Sequence, residues 1–230
     1  MSMCISAGPG EIAPRVLLTS DPALVRRTAR RCLDGAACVS NVRNMPAYTG
    51  SYRGKRVTIQ GSGLGGVSMA IYASELAESY GVHTLISADY CAGLAPEAAP
   101  GALVLAQAAH TASPMNRLLF DGRIFAATAD WALLDGAYEA ARARGLDPLA
   151  GSVLSLETME DDGMAQAFAR RGTLAADLST SALYLCAGRF RARALSLLTV
   201  ARSEASGAAC PAGALEDAAD KMLDLALDLL

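Results

Sequence analysis

Along most of the chain, apolar runs of strand length alternate with segments of helical pattern. "RVLLT" (15–19) reads as a strand, and "SDPALVRRTARRCL" (20–33) as a helix that starts with Ser20 or Asp21 as cap and Pro22 in the first turn. "AYTGSYRGKRVTIQG" (47–61) reads as a hairpin turning at Arg53-Gly54. A glycine-rich turn then feeds a helix over 61–81 that stops at Gly81. Further strands are expected at 83–88, 102–110, 150–157 and 194–202, with an extended segment at 173–179. Helices are expected at 130–145, 163–172 (capped from Asp161 or Asp162), 180–190 and 211–230. In the last of these, Leu215, Ala219, Met222, Leu223 and Ala226 share one face. Such alternation predicts an α/β fold, a mixed sheet covered by helices, in a single domain over 1–230.

A chain of 230 residues with 52% hydrophobic residues can fill one large core without disulfides. The six cysteines form no C-x-x-C pair, so they read as reduced, mostly structural thiols of a cytoplasmic protein. The N-terminus lacks the apolar stretch of a signal peptide, and no apolar run approaches the ~20 residues of a membrane span. A net charge of −3, with no basic stripe carrying interleaved aromatics, argues against nucleic acid as a partner. The arginines of "RRTARR" (26–31) read as a solvated helix face.

"SADYCAG" (87–93) follows the apolar run "VHTLI" and raises a chemical question. Strand ends in α/β proteins are where ligands bind, and this one carries Asp89, Tyr90 and Cys91 in succession. No His/Cys/Asp/Glu spacing suggests a metal, and no cofactor is expected. "GSGLGG" (61–66) matches G-x-G-x-x-G only in part, which is weak evidence for a dinucleotide.

The stretch "NVRNMPAYTGSYRGKRVTIQGSGLGGVSMAIYASELAESYGVHTLI", with "SDPALVRR", "NRLLF", "GTLAADLSTSALY" and "ALSLLTV", resembles the bacterial purine nucleoside phosphorylases of the hexameric type. The resemblance covers nearly the whole chain in order. It implies a three-layer α/β/α domain around a twisted, partly barrel-like mixed sheet, assembled as dimers or trimers of dimers. It also implies displacement of a purine by phosphate at a ribose C1′.

Laid on that family's site, the sequence departs at most positions. Ser20 stands where the family has a glycine before Asp-Pro, and Leu24 and Ser87 stand for two phosphate-binding arginines. Asp89 replaces a close-approach glycine and Tyr90 a phosphate-binding serine. Asp177-Leu178-Ser179 replaces Glu-Met-Glu, so Ser179 stands for the ribose-binding glutamate. Cys4 replaces an interface-crossing histidine, Leu64 a sugar-packing methionine, and Met159 or a near neighbour the phenylalanine beside the base. Ala201-Arg202 replaces the Ser-Asp pair that holds the purine acid, while Arg43, which reaches the neighbouring subunit's site, is kept.

Charge at residue 89 is the largest of these changes. A carboxylate within roughly 4 Å of a bound phosphate repels it by about 4 kcal/mol at an effective dielectric near 20. On that basis the sequence reads as an enzyme that does not use phosphate and performs acid/base chemistry on a small, amine- or imine-bearing metabolite, such as a cyclase or isomerase, lyase or hydrolase of specialised metabolism. Two alternatives stand beside it: a non-catalytic binding relic, and a true purine nucleoside phosphorylase or nucleosidase with a rearranged site. The expected catalytic residues are Asp89, Tyr90 and Asp177; the expected substrate contacts are Arg43, Leu64, Glu157, Met159, Leu178, Ser179 and Arg202. Glu160 is a further loop acid, and His110 either faces the pocket or is structural. A homo-oligomer is expected, with a small molecule as ligand and neither membrane nor nucleic acid as partner.

Overall fold

The protein was analysed as a computed structural model, which describes residues 2–158 and 163–230. Met159 and Glu160, and the helix cap expected from Asp161 or Asp162, lie outside them.

Among the described residues, nine strands form one sheet: β1 (Arg15–Thr19), β2 (Asp34–Ser40), β3 (Ala47–Tyr52), β4 (Lys55–Gly61), β5 (Thr84–Gly93), β6 (Leu103–Thr111), β7 (Leu149–Ser155), β8 (Ala175–Asp177) and β9 (Arg193–Ser203). Their order is β2-β3-β4-β1-β5-β8-β7-β6-β9, and β9 also pairs with β5. That extra pairing closes β5, β8, β7, β6 and β9 into a barrel-like ring, while β1, β4, β3 and β2 extend the sheet beyond β5. The sheet is mixed. β1 runs parallel to β4 and β5, and β5 runs parallel to β9; the hairpin β3–β4 is antiparallel, as are β5–β8 and β6–β9.

The helices are α1 (Pro22–Cys32), α2 (Gly66–Tyr80), α3 (Met115–Leu119), α4 (Trp131–Ala143), α5 (Met164–Ala169), α6 (Thr180–Phe190) and α7 (Ala212–Asp228). Buried residues of α2 and α6, such as Met69, Leu76, Leu183 and Tyr184, pack on one side of the sheet with Val16, Leu85 and Leu198. Those of α1, α4 and α7, such as Val25, Leu134 and Leu223, pack on the other side with Leu17, Ile86 and Leu197. Adjacent residues of one strand thus serve opposite layers, as the pleat requires. The result is the three-layer α/β/α arrangement expected.

Local chemistry sets most boundaries. Asp21 caps α1 by accepting from the Ala23 amide at 2.7 Å, and Asp130 caps α4 by accepting from the Leu133 amide at 3.0 Å. α2 stops at Gly81, whose φ of 66° is left-handed. The hairpin turns through Arg53 and Gly54 at φ 49° and 79°, the pattern that matches strand twist in a two-residue loop.

Besides the short helix α3, which was not expected, two elements differ in ways that bear on the site. β2 is a mostly exposed edge strand whose sequence, "DGAACVS", lacks the β-branched run that would announce it. β5 extends to Gly93 instead of stopping near residue 88, because β9 keeps pairing with it as far as Ser203. Asp89, Tyr90 and Cys91 therefore lie inside a strand.

No helix among the described residues is long and apolar enough to cross a membrane. The cysteines are all unpaired. On α1, Arg27 and Arg31 are tied to the acids of α7: Arg27 to Asp220 at 2.7 Å and Arg31 to Asp224 at 2.7 Å. Two of the four arginines of that segment are thus paired with a neighbouring helix.

Candidate active site

β1 and β9 flank β5, but they end at different heights. β1 pairs with β5 only as far as Leu18 opposite Ser87 and ends at Thr19, whereas β9 runs on to Ser203. Asp89 therefore falls just past the end of β1, beside the turn into α1. Its Oδ1 accepts three hydrogen bonds there: from the Ser20 amide at 2.8 Å, the Ser20 hydroxyl at 2.7 Å and the Thr19 hydroxyl at 3.2 Å. Its Oδ2 is buried with no hydrogen-bond partner among the described residues. The side chain is only 6% exposed. Burial pushes its pKa up to about 6; the Ser20 and Thr19 donors pull against that shift, and Asp177 adds to it.

Ser20 and Asp89 both stand where the family resemblance has glycine, and they touch. Two departures that looked independent along the chain are one local rearrangement: the added hydroxyl and its amide bind the added carboxylate.

The two positions of the family's arginines are closed off. Leu24 is buried in the core under α1. Ser87 is fully buried and donates to Ser196 at 2.8 Å.

Asp177, on the short strand β8, contrasts with Asp89. Its Oδ1 accepts from the Ser155 hydroxyl at 2.6 Å; its Oδ2 accepts from the Ser179 amide at 3.0 Å and from the Thr180 amide and hydroxyl at 2.7 Å each. The carboxylate thus holds the amides at the start of α6, where a helix leaves N–H groups without intrahelical partners. The hydroxyls continue inward, with Thr180 bonded to Ser196 at 2.8 Å and Ser196 to Ser87. Asp177, placed by the sequence among the catalytic residues, has all its near acceptor capacity used by the fold. Ser179 is buried and gives its amide to the same cap.

Tyr90 needs a larger correction. Because successive strand residues face opposite sides, Tyr90 points away from Asp89 and packs against the layer of α1 and α7. Burial raises its phenol pKa, with Arg27 the nearest opposing charge, so its neighbourhood is the α1 side. The structure therefore does not bring the two adjacent side chains together.

The loop between β4 and α2 needs glycine at Gly63 and Gly65, at φ 68° and 90°. The Ser68 hydroxyl closes it by donating to the Ser62 carbonyl at 2.6 Å. No side chain caps α2 at Gly65. A Cβ at Gly66 would stand 3.6 Å from the Leu178 carbonyl oxygen and 3.9 Å from Glu157 Oε1. Leu178 and Glu157 thus converge on the uncapped start of α2. That end carries partial positive charge and free amides.

The other expected contacts lie at the periphery of this single chain. Leu64 is 72% exposed. Arg43 is exposed at φ 55° and donates to Cys4 Sγ at 3.3 Å. Arg202, at the far end of β9, is exposed and pairs with Glu204. His110 packs its ring on Phe168, 5.0 Å between centroids, which favours the structural reading of that residue. The sequence reading missed Thr19, which no departure from the family marks. It noted Ser20 only as a lost glycine.

Residues 14–229 match the phosphorylase superfamily. The chain is 41% identical over 229 residues to the DeoD-type purine nucleoside phosphorylase of Geobacillus kaustophilus, spanning 99% of this chain and 97% of that one. It is 38% identical over 232 residues to the DeoD-type enzyme of Clostridium beijerinckii, spanning 100% and 98%. In fold it is similar to uridine phosphorylase of Vibrio fischeri, crystallised with 6-hydroxy-1-naphthoic acid, at a TM-score of 0.85 and 21% identity, covering 95% and 91% of the two chains.

These relatives overturn the expectation of a phosphate-independent acid/base enzyme, cyclase or isomerase of specialised metabolism. Identity of this degree runs the full length of chains named as purine nucleoside phosphorylases. The expectation rested on the repulsion of phosphate by a charged carboxylate at residue 89. A carboxyl whose pKa is about 6 sheds that charge by taking up one proton. By its full-length match and its fold, the chain belongs to the phosphorylase superfamily.

Proposed function

We propose that the protein is a purine nucleoside phosphorylase with a rearranged phosphate site. It breaks the bond between a purine and ribose C1′ and transfers the ribosyl group to phosphate. The observation that carries this reading is the 41% identity to a DeoD-type enzyme across 99% of the chain.

Bond breaking leaves positive charge on the sugar and needs an anion beside C1′. Donors for that anion remain in the uncapped amides of α2, while the Ser20 hydroxyl is already given to Asp89 Oδ1. Leu178 and Glu157, gathered at the same helix start, are placed to meet the nucleoside. Asp89 acts on the phosphate side. Asp177 and Ser179 support the site by fixing α6.

The whole chain is read as one domain, which fits a single sheet running from β1 to β9. We further read it as a homo-oligomer. Leu64, just before α2, and Val67 and Ile71 within it are 72%, 62% and 39% exposed, and Met3 is 78% exposed. An apolar stripe of that spacing suits a second copy of the chain, and Arg43, exposed beside Cys4, would extend into it. A 23.7 kDa monomer in sedimentation at micromolar concentration would contradict this. The unpaired cysteines fit a cytoplasmic location.

The test is release of base from inosine, adenosine, guanosine and uridine by the purified chain, followed by chromatography with and without inorganic phosphate. Purine release that requires phosphate is expected. No release from any purine nucleoside would sink the reading.

A further inference from the structure

We propose that Asp89 and Ser20 form a proton-dependent anion subsite, in which the protonated Asp89 carboxyl donates through Oδ2 to an oxygen of the attacking phosphate. This rests on the phosphorolytic reading above and names how its anion is held.

The geometry assigns the two oxygens different roles. Oδ1 already accepts from the Ser20 amide, the Ser20 hydroxyl and the Thr19 hydroxyl, at 2.8, 2.7 and 3.2 Å. A proton therefore belongs on Oδ2. That oxygen is buried and has no partner among the described residues, an arrangement that leaves a polar group unpaid unless something meets it. A dianion supplies the acceptor that a protonated Oδ2 lacks.

Among the described residues, the positions of the family's two arginines supply no positive charge to do the same work. Leu24 is core, and Ser87 is bonded to Ser196. From β8, Asp89 senses the carboxylate of Asp177. From the turn into α1, Asp21 follows Ser20, with its carboxylate engaged by the Ala23 amide. Cys91 shares the strand face of Asp89, Tyr90 lies on the reverse face, and β9 presents Leu198 in register with it. Within this chain the charged groups that face Asp89 are Asp177 and Asp21, both negative, so an anion meets Oδ2 best when that oxygen carries a proton. Below a midpoint of about 6 the proton is already present. Above it, each anion bound must bring one from solvent, and affinity falls about tenfold per pH unit.

Inorganic sulfate is the direct probe, because it stays dianionic where phosphate itself titrates. Its binding to the full chain is measured by calorimetry from roughly one pH unit below that midpoint to roughly two above, in two buffers of different ionisation enthalpy. The expected result is uptake of about one proton per sulfate at the high end, and an affinity that falls about tenfold per unit. In Asp89→Asn, whose amide offers a permanent donor, affinity is expected to be flat with pH. Sulfate binding without proton uptake, the same slope in Asp89→Asn, or no binding even at the acid end would each overturn the proposal. The proton count on the unmutated chain needs no variant to fold. Phosphate-dependent base release with a flat sulfate affinity would remove the subsite and leave the phosphorolytic reading. A proton-linked affinity without base release would do the reverse.

Discussion

Asp89 and Asp177 are both buried carboxylates on neighbouring strands, 6% and 5% exposed, and Asp89 senses the charge of Asp177. They differ in how their oxygens are used. Asp177 has donors on both oxygens, four in all, and three of them belong to the first residues of α6 and its cap. Asp89 has three donors on one oxygen and none on the other among the described residues. A carboxylate satisfied on both sides is part of the fold. One satisfied on a single side is anchored and still has chemistry to offer. Burial alone does not separate the two; the count of donors per oxygen does.

Removing the satisfied acid should do the most damage. Asp177→Ala leaves the Ser155 hydroxyl and the amides of Ser179 and Thr180 without their acceptor. Buried donors stranded in this way cost ~1–3 kcal/mol each. A loss of about 4 kcal/mol or more in urea denaturation is expected, and a loss below about 1 kcal/mol would erase the contrast between the acids.

Asp89→Asn should behave in the opposite sense. In the folded chain Asp89 holds its proton up to a pKa of about 6, against an ordinary 3.8. Between those values the native state binds more protons than the unfolded state, so this group's contribution to stability falls as pH rises, and it levels off above about 6. Asparagine removes that loss. The variant should therefore gain on the unmutated chain across this window, by up to about 3 kcal/mol, less the cost of its own unpaired amide. Melting followed against pH reads the difference directly; a difference that stays flat would place Asp89 in an ordinary solvated setting.

Ser20→Ala sharpens the same comparison on a smaller scale. One of three donors to Oδ1 goes, so the charged form is held less well and the acid's midpoint should move further up. A stability loss of about 1 kcal/mol is expected above that midpoint, fading at acid pH. An unchanged pH profile would mean that the Ser20 hydroxyl contributes nothing to the carboxylate. The smallest effect should come from Tyr90→Phe. Its ring lies on the α1 side of the sheet, so kcat/KM for the best nucleoside should change by no more than about twofold. A drop of tenfold or more would bring the phenol into the site.

Elements with strong period or turn chemistry were legible before any coordinates. β1 follows from "RVLLT", the hairpin from its two arms around Arg53-Gly54, and the stop of α2 from Gly81. β2 was not legible, since an exposed edge strand of small residues carries no alternation. The continuation of β5 was missed for a different reason. Its polar residues read as a loop, and only the distant strand β9 makes them extended. The site was half legible. Asp89 could be picked out as an acid in place of a glycine, but its bond to Ser20 spans 69 residues of sequence and depends on where β1 ends. Tyr90 was expected beside Asp89 because it follows it at a strand end, but the pleat turns its ring to the opposite face.

The central claim is that this rearranged strand end still delivers phosphate to a ribose. It is tested most directly by a mass balance on a single purine nucleoside, with phosphate consumed, base released and ribose 1-phosphate formed all measured in one reaction. One ribose 1-phosphate for each base released, and no base without phosphate, is the expected result. Base released together with free ribose, at a rate indifferent to phosphate, would contradict it.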